Sequence, residues 1–472
     1  MPASDLVSRS ALAVVDLLTR GEVTPLDCLE ALESRIGLVD KDVNALPTVD
    51  FDRARRAAKA TMARPPAERG ALKGLPVAIK DLTDVAGMRT TYGSPIFADH
   101  VPEASDPLVE RLESESGVIY AKTNTPEFGA GANTFNEVFG ATVNPWNTAM
   151  SAAGSSGGSA VALATGTAWL AHGSDLGGSL RNPASFCGIV GMRPSPGRVA
   201  CLPGVPLDRQ LSVQGPMARN VEDCAFFLDC LSGEDIRDPV SLPKPETSYL
   251  GLTRSGWKPK RIAFSADLGI TPVDPEVAEI CRKAALRFAE AGAIVEEAHP
   301  DFTGAHDAFN VLRAKNFAIS KKALLDAKRD LLKPEVIWNI EKGLALTMED
   351  HVRAETRRAE LYRNTLDFFE DHDILCTPAT IVPPFPVGNR YVESCNGVKF
   401  DNYVHWLAIA YAITLVSCPA ISLPCGFTKS GLPVGLQIVA RPRGDARALA
   451  AAKTLEEVLA LDTTKPILPR KG

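Results

Sequence analysis

Apolar positions recur at helical spacing over residues 8–20 and 24–39. The pattern predicts two amphipathic helices, the second opened by Thr24 as N-cap with Pro25 at the first helical position. Residues 54–62 predict a third helix. The rhythm then shortens. The unbroken apolar runs 76–80 and 117–122 are too short for helices and read as buried strands, with a helix over 106–115 between them. Residues 123–146 form a polar loop, 156–166 a helix and 169–171 a strand, and 180–197 continue the core. A helix is expected over 221–231, a Pro/Ser/Lys-rich connection over 243–260, and a strand–helix–strand unit over 261–295. Residues 308–363 read as mostly helical and charged, and 374–378 as a buried strand end. A helix near Ala410 and strands at 420–424 and 432–439 close the chain. Strands alternating with helices indicate an α/β architecture. No repeat, charged spacer or low-complexity break divides the sequence, so one domain is expected over 1–472. Within it, 1–65 is a helical lead-in, 66–240 the central core, 240–360 a peripheral α/β and helical elaboration, and 361–472 a core-closing segment.

Charge alters this picture in one place. Asp, Glu, Lys and Arg make up 23% of the chain, yet residues 138–174 contain none. This stretch holds Gly154-Ser155-Ser156-Gly157-Gly158-Ser159 and runs into Gly173-Ser174-Asp175-Leu176-Gly177-Gly178-Ser179. Val161-Ala162-Leu163-Ala164, a buried-helix composition, lies between the two clusters. Glycine lets backbone N–H groups approach a ligand closely, and serine supplies hydroxyls for nucleophilic attack or proton relay. A flexible linker would not carry Phe139, Trp146 and Trp169, so the run reads as a buried site where donors and hydroxyls converge.

The formal net charge is −6 and basic residues are dispersed, which argues against a nucleic acid or membrane surface held by bulk charge. Ten cysteines form no C-x-x-C, and Cys/His spacing fits no zinc site, so buried reduced thiols, a cytoplasmic location and no metal are expected. Residues 11–18 are interrupted by Asp16 and lack the frame of a signal peptide. Residues 402–428 carry no Asp, Glu, Lys or Arg, but Thr414, Ser417, Pro419 and Pro424 cut the apolar run below the ~20 residues a bilayer needs. A buried helix followed by a buried strand is expected there instead.

Lys80 ends the apolar run Val77-Ala78-Ile79. Burial lowers a lysine pKa, so Lys80 reads either as a neutral general base or as a strand-end lysine that snorkels or pairs with Asp81 or Asp84. Val77-Ala78-Ile79-Lys80 also matches a protein-kinase strand, but the accompanying glycine loop, H-R-D and D-F-G are missing. The match of residues 154–158 to G-x-S-x-G lacks an acid and a histidine in a recognisable loop downstream, and no Gly-Lys-Ser/Thr makes either cluster a P-loop.

Taken together, Lys80, the Gly154 cluster and Asp175-x-Gly-Gly-Ser179-x-Arg181-x-Pro183-Ala184-x-Phe186-Cys187-Gly188 resemble the amidase signature family. Further blocks extend the resemblance over most of the chain: Lys122-Thr123-Asn124, Pro126-Glu127-Phe128, Asn144-Pro145-Trp146, Pro419-Ala420-Ile421-Ser422-Leu423-Pro424 and Gly431-Leu432-Pro433-Val434-Gly435-Leu436-Gln437. The resemblance implies a central mixed β-sheet flanked by helices on both faces, and a Ser–cis-Ser–Lys triad needing no cofactor. Ser179 would be the nucleophile, Ser155 the bridging serine in a cis peptide with Gly154, and Lys80 the base. Backbone N–H groups of Leu176, Gly177, Gly178 and Ser179 would form the oxyanion hole. Ser156 would support the network, and Gly129 and Ala130 would border the acyl pocket. Ala153, Leu176, Asn182 and Met192-Arg193-Pro194-Ser195 depart from the usual family residues. They remove no catalytic group but bear on substrate choice, Asn182 standing close behind the nucleophile.

The activity implied is hydrolysis of a small-molecule substrate, a small or aryl amide, with carbamates and esters as related substrates, and a homodimer is one form the resemblance allows. The alternative within the family is the glutaminase component of a tRNA-dependent amidotransferase. That subfamily holds the glutamine amino group with an acidic residue on the late helix, where this chain has Trp406-Leu407-Ala408. An inactive binding protein on the same fold is the alternative of another class; the presence of Lys80, Ser155 and Ser179 argues against it.

Overall fold

The computed structural model describes residues 3–202, 211–462 and 464–472. The lead-in helices form as expected. In Pro25–Val43, Thr24 accepts from the Asp27 N–H while the Asp27 carboxylate bonds back to the cap, satisfying two otherwise unpaired donors.

The core is an eleven-stranded sheet. In chain order its strands are β1 Thr48–Val49, β2 Pro76–Lys80, β3 Val118–Thr123, β4 Leu170–Asp175, β5 Val190–Arg193 and β6 Val213–Ala218, followed by β7 Arg261–Phe264, β8 Ile294–Glu297, β9 Ile374–Pro378, β10 Ala420–Phe427 and β11 Pro433–Val439. They lie side by side as β1-β3-β2-β4-β6-β5-β10-β11-β9-β7-β8. β3, β2 and β4 run parallel, as do β9, β7 and β8, while the strands between pair antiparallel. The sheet is therefore mixed. Strands β2, β3, β9 and β11 are buried along their whole length, which explains their unbroken apolar sequences.

Three sequence readings change. The strand expected at 169–171 runs on to Asp175, so Gly173 and Ser174, which look like loop residues, pair with β6. The loop 123–146 contains a short hairpin, Phe135–Asn136 with Gly140–Ala141. Residues 240–360, expected as a peripheral elaboration, supply β7 and β8 to the main sheet, and the helix Ala305–Lys328 lines a cavity beside Ser155 and Ser179. The helical stretch beyond 308 is broken where Pro334 and the Thr347 cap start new helices, Pro334–Leu344 and Met348–Asp371. Residues 402–428 form a short turn of helix, the buried helix Ala408–Leu415 and strand β10. Among the described residues no helix is long and apolar enough to cross a membrane.

The helix Gly157–Thr165 is buried on every side and packs tightly against the end of β3. A Cβ on Gly158 would stand 2.3 Å from the Asn124 backbone nitrogen, so only glycine permits this approach. The first Gly-Ser cluster is thereby held against the carboxyl ends of β2 and β3, where Lys80 emerges.

Candidate active site

Lys80 is fully buried, and its Nζ lies 2.7 Å from Ser155 Oγ, 2.8 Å from Ser156 Oγ and 3.0 Å from Ser174 Oγ. Neither carboxylate considered as its partner is available. Asp81 accepts from Thr91 and pairs with the buried Lys122 at 3.6 Å, and Asp84 accepts from the Tyr92 hydroxyl. Burial brings the Lys80 pKa down to about 7, against the Asp175 charge, which raises it. Ser156 spends its own proton on the Ser174 carbonyl at 3.3 Å, so it accepts from Lys80. Lys80 Nζ likewise donates to Ser174 Oγ and to Ser155 Oγ, so three hydroxyls surround the amine. The Gly154–Ser155 peptide bond is cis.

The second cluster is a strand–turn–helix. β4 ends at Asp175, and the chain turns through Leu176–Ser179 into the helix Arg181–Cys187. Asp175 organises the turn. Its carboxylate accepts from the N–H of Gly178 at 3.0 Å and of Leu180 at 3.1 Å, and takes Arg181 Nη2 at 2.8 Å and Nε at 3.0 Å. Burial alone would raise its pKa, but Arg181, then Arg193 and the Gly178 N–H, hold it well below the ordinary carboxylate range. Arg181 also donates to the Ala410 carbonyl and to Gln437, tying the turn to the late helix and β11. Gly178 has φ +107°, and a Cβ there would stand 2.4 Å from Asn182 Oδ1.

Asp175→Asn should therefore lose both activity and stability. Removing one charge of a fully buried pair strands the other, at a cost of about 3–5 kcal/mol. Urea unfolding monitored by circular dichroism measures it, and an unchanged midpoint would show that the pair does not hold the turn.

The Gly178 N–H assigned to the oxyanion hole is thus already bonded to Asp175. Among the described residues, the N–H groups of Leu176, Gly177 and Ser179 have no acceptor within the protein and remain available. The Ser179 hydroxyl likewise makes no side-chain hydrogen bond among the described residues. It faces a cavity of about 110 Å³ that it shares with Ser155, Ser174, Leu176, Gly177 and Gly129.

Two residues assigned to the pocket stand outside it. Phe128 and Gly129 both have positive φ, and the turn they make carries Ala130 away to pack with Leu332, Val336 and Ile340. Asn182 is buried behind the turn, its N–H bonded to the Gly178 carbonyl at 2.7 Å. Conversely, sequence reasoning assigns no role to Ser174 or Asp175, nor to the cavity-lining Leu82, Phe309, Arg313 and Phe317; Leu407, which it places where an acidic residue would hold an amino group, does line the cavity. Ser174 and Asp175 carry a usable signal in the Gly-Ser run. Residues from the helix Ala305–Lys328 carry none, because their approach depends on long-range packing. Among the described residues, His306, Asp401 and His405 bring ligand-type atoms within 4.8 Å of one another and could hold a metal ion, apart from the Lys80 network.

The amidase family's sequence profile matches residues 27–449. The chain belongs to the amidase family. An acylamidase of Rhodococcus erythropolis is 35% identical over 465 residues, covering 97% of each chain. A glutamyl-tRNA(Gln) amidotransferase subunit of Moorella thermoacetica is 34% identical over 490 residues, covering 98% of this chain and 99% of its own. The crystal structure of a bacterial aryl acylamidase of the amidase signature family superposes with a TM-score of 0.91 at 26% identity, covering 98% of each chain. This amidase is therefore an amide-hydrolysing enzyme with the amidase signature fold, and similarity to the two kinds of relative does not choose its substrate.

Proposed function

We propose that this amidase cleaves the C–N bond of a small or aryl carboxamide through an acyl-enzyme on Ser179, without the help of partner subunits. The observation carrying the mechanism is the 2.7 Å approach of the buried Lys80 amine to Ser155 Oγ. Neutral Lys80 accepts the Ser155 proton while Ser155 takes the Ser179 proton, and Ser179 Oγ attacks the amide carbon. The developing oxyanion is stabilised by the N–H groups of Leu176, Gly177 and Ser179; one such donor is worth about 3–4 kcal/mol in other acyl-transfer enzymes. Ser155 passes a proton to the leaving nitrogen, the C–N bond breaks, and water hydrolyses the ester by the reverse relay. The products are a carboxylic acid and ammonia or an amine. Catalytic hydrogen bonds are often longer in a free enzyme and tighten around substrate, which suits an unpaired Ser179 hydroxyl.

A free-standing hydrolase is favoured over the glutaminase of an amidotransferase by the cavity wall. Leu407 lines it where an acidic residue would be needed to hold an α-ammonium. The purified protein alone is expected to release ammonia or amine from a panel of aliphatic amides, anilides and carbamates, and mass spectrometry should find the acyl adduct on Ser179. Turnover that appears only with co-purified subunits would overturn this reading in favour of the amidotransferase one.

A further inference from the structure

Arg313 projects from the helix Ala305–Lys328 into the wall of the catalytic cavity. It is only 6% exposed, yet it makes no ion pair among the described residues. Its Nη2 donates to the Tyr403 hydroxyl at 2.9 Å and its Nη1 to Asn339 Oδ1 at 3.3 Å, both neutral acceptors. The guanidinium also lies over the Phe317 ring, 4.6 Å from its centre. A guanidinium carries five N–H donors and stays protonated, and burying it without a counter-charge is costly. The other buried arginines of the site do not share this condition, since Arg181 and Arg193 both face Asp175. Nearby Glu335 cannot serve, because Arg390 holds both of its oxygens at 2.8 and 2.7 Å. The rest of the described wall is formed by Leu82, Phe128, Leu176, Phe309, Phe317 and Leu407 with the hydroxyls of Ser155, Ser174, Ser179 and Ser212, and among the described residues it carries no carboxylate.

We infer that Arg313 is the anchor for a carboxylate on the substrate, so that this enzyme's substrate is a small monoamide bearing one free carboxylate and no ammonium group. The substrate's anion supplies the counter-charge that none of the described residues provides, through the paired geometry in which guanidinium and carboxylate fit. The cavity of about 110 Å³ restricts the chain between the two groups to a few atoms. An ammonium on that chain would meet no carboxylate among the described lining residues. The inference rests on the hydrolase reading for what happens to the amide, but not for which ligand binds.

Equilibrium titration separates the two. Ser179→Ala is titrated calorimetrically with succinamate, glutaramate, uncharged butyramide and L-glutamine, the last differing from glutaramate by its ammonium. At least one of the two monoamide carboxylates should bind about 30-fold or more tightly than butyramide, as expected for hydrogen bonds to a charged group. Glutaramate should bind more tightly than L-glutamine. Adding Arg313→Met should reduce the preference over butyramide to about threefold or less, and Arg313→Lys should retain part of it. Equal binding of the carboxylates and butyramide, or a preference that survives undiminished in Arg313→Met, overturns the assignment. The comparison among ligands needs no Arg313 variant, so it stands even if Arg313→Met does not fold. Preferred binding with no ammonia released by the wild-type protein would leave the Arg313 assignment in place and remove the hydrolase reading. Release from butyramide and both carboxylates at equal kcat/KM would do the reverse.

Discussion

Ser179→Ala is expected to lower turnover by roughly 10⁴-fold or more, the scale on which loss of a nucleophile acts in serine hydrolases. The fold should be untouched. The turn is held by backbone donors to Asp175 and by Arg181, none of which involves the Ser179 hydroxyl. Removing a hydroxyl with no protein partner should change stability by less than about 0.5 kcal/mol. Amide hydrolysis and fluorophosphonate labelling should disappear together, while the circular dichroism spectrum and urea midpoint stay those of the wild type. Retained labelling at another residue would place the nucleophile elsewhere and leave the Lys80 network without a reaction to serve.

The second large effect concerns the charge state of Lys80. Its pKa, lowered by burial to about 7, means that the active, uncharged form increases as pH rises through neutrality. Wild-type kcat/KM should therefore be about tenfold lower at pH 6 than at pH 8, with a limb near pH 7 set by one proton. Lys80→Ala should lose about 10²–10⁴-fold at neutral pH, and the deficit should narrow in alkali, where hydroxide replaces the missing base. Full activity at neutral pH would refute the assignment. The linkage sign is also defined. Between about pH 7 and the ordinary lysine value of 10.5 the unfolded chain binds a proton at Lys80 that the folded chain does not, so this residue's contribution to stability rises with pH across that window. Comparing urea midpoints of wild type and Lys80→Met at pH 7 and pH 9 should show a larger rise in the wild type than in the variant.

Much of the site is legible in the chain because its parts are local. An apolar run ending in Lys80 is a strand end whatever surrounds it. The glycines of both Ser clusters mark places where backbone must come close, as at Gly158 against Asn124 and Gly178 against Asn182. The strand that carries Ser174 and Asp175 reads too short because Gly173 and Ser174 resemble a loop, and only pairing with β6 makes them strand. Ala130 escapes its expected place for a related reason. The direction of the chain after Phe128 depends on two successive positive φ angles, which no side-chain pattern reports at a phenylalanine.

From the chain alone come the α/β architecture, the family, and the order in which a lysine and two Gly-Ser turns enter the core. Long-range packing then settles which of their groups are free to act. It sets Lys80 against three hydroxyls rather than Asp81 or Asp84, bonds the Gly178 N–H to Asp175, and brings Arg313 from a segment that reads as peripheral to the cavity wall. The division follows the range of the forces. Strand and helix periodicity and the steric needs of glycine are written within a few residues, whereas desolvation, counter-charge and the competition for each hydrogen-bond donor depend on what distant segments pack against the site.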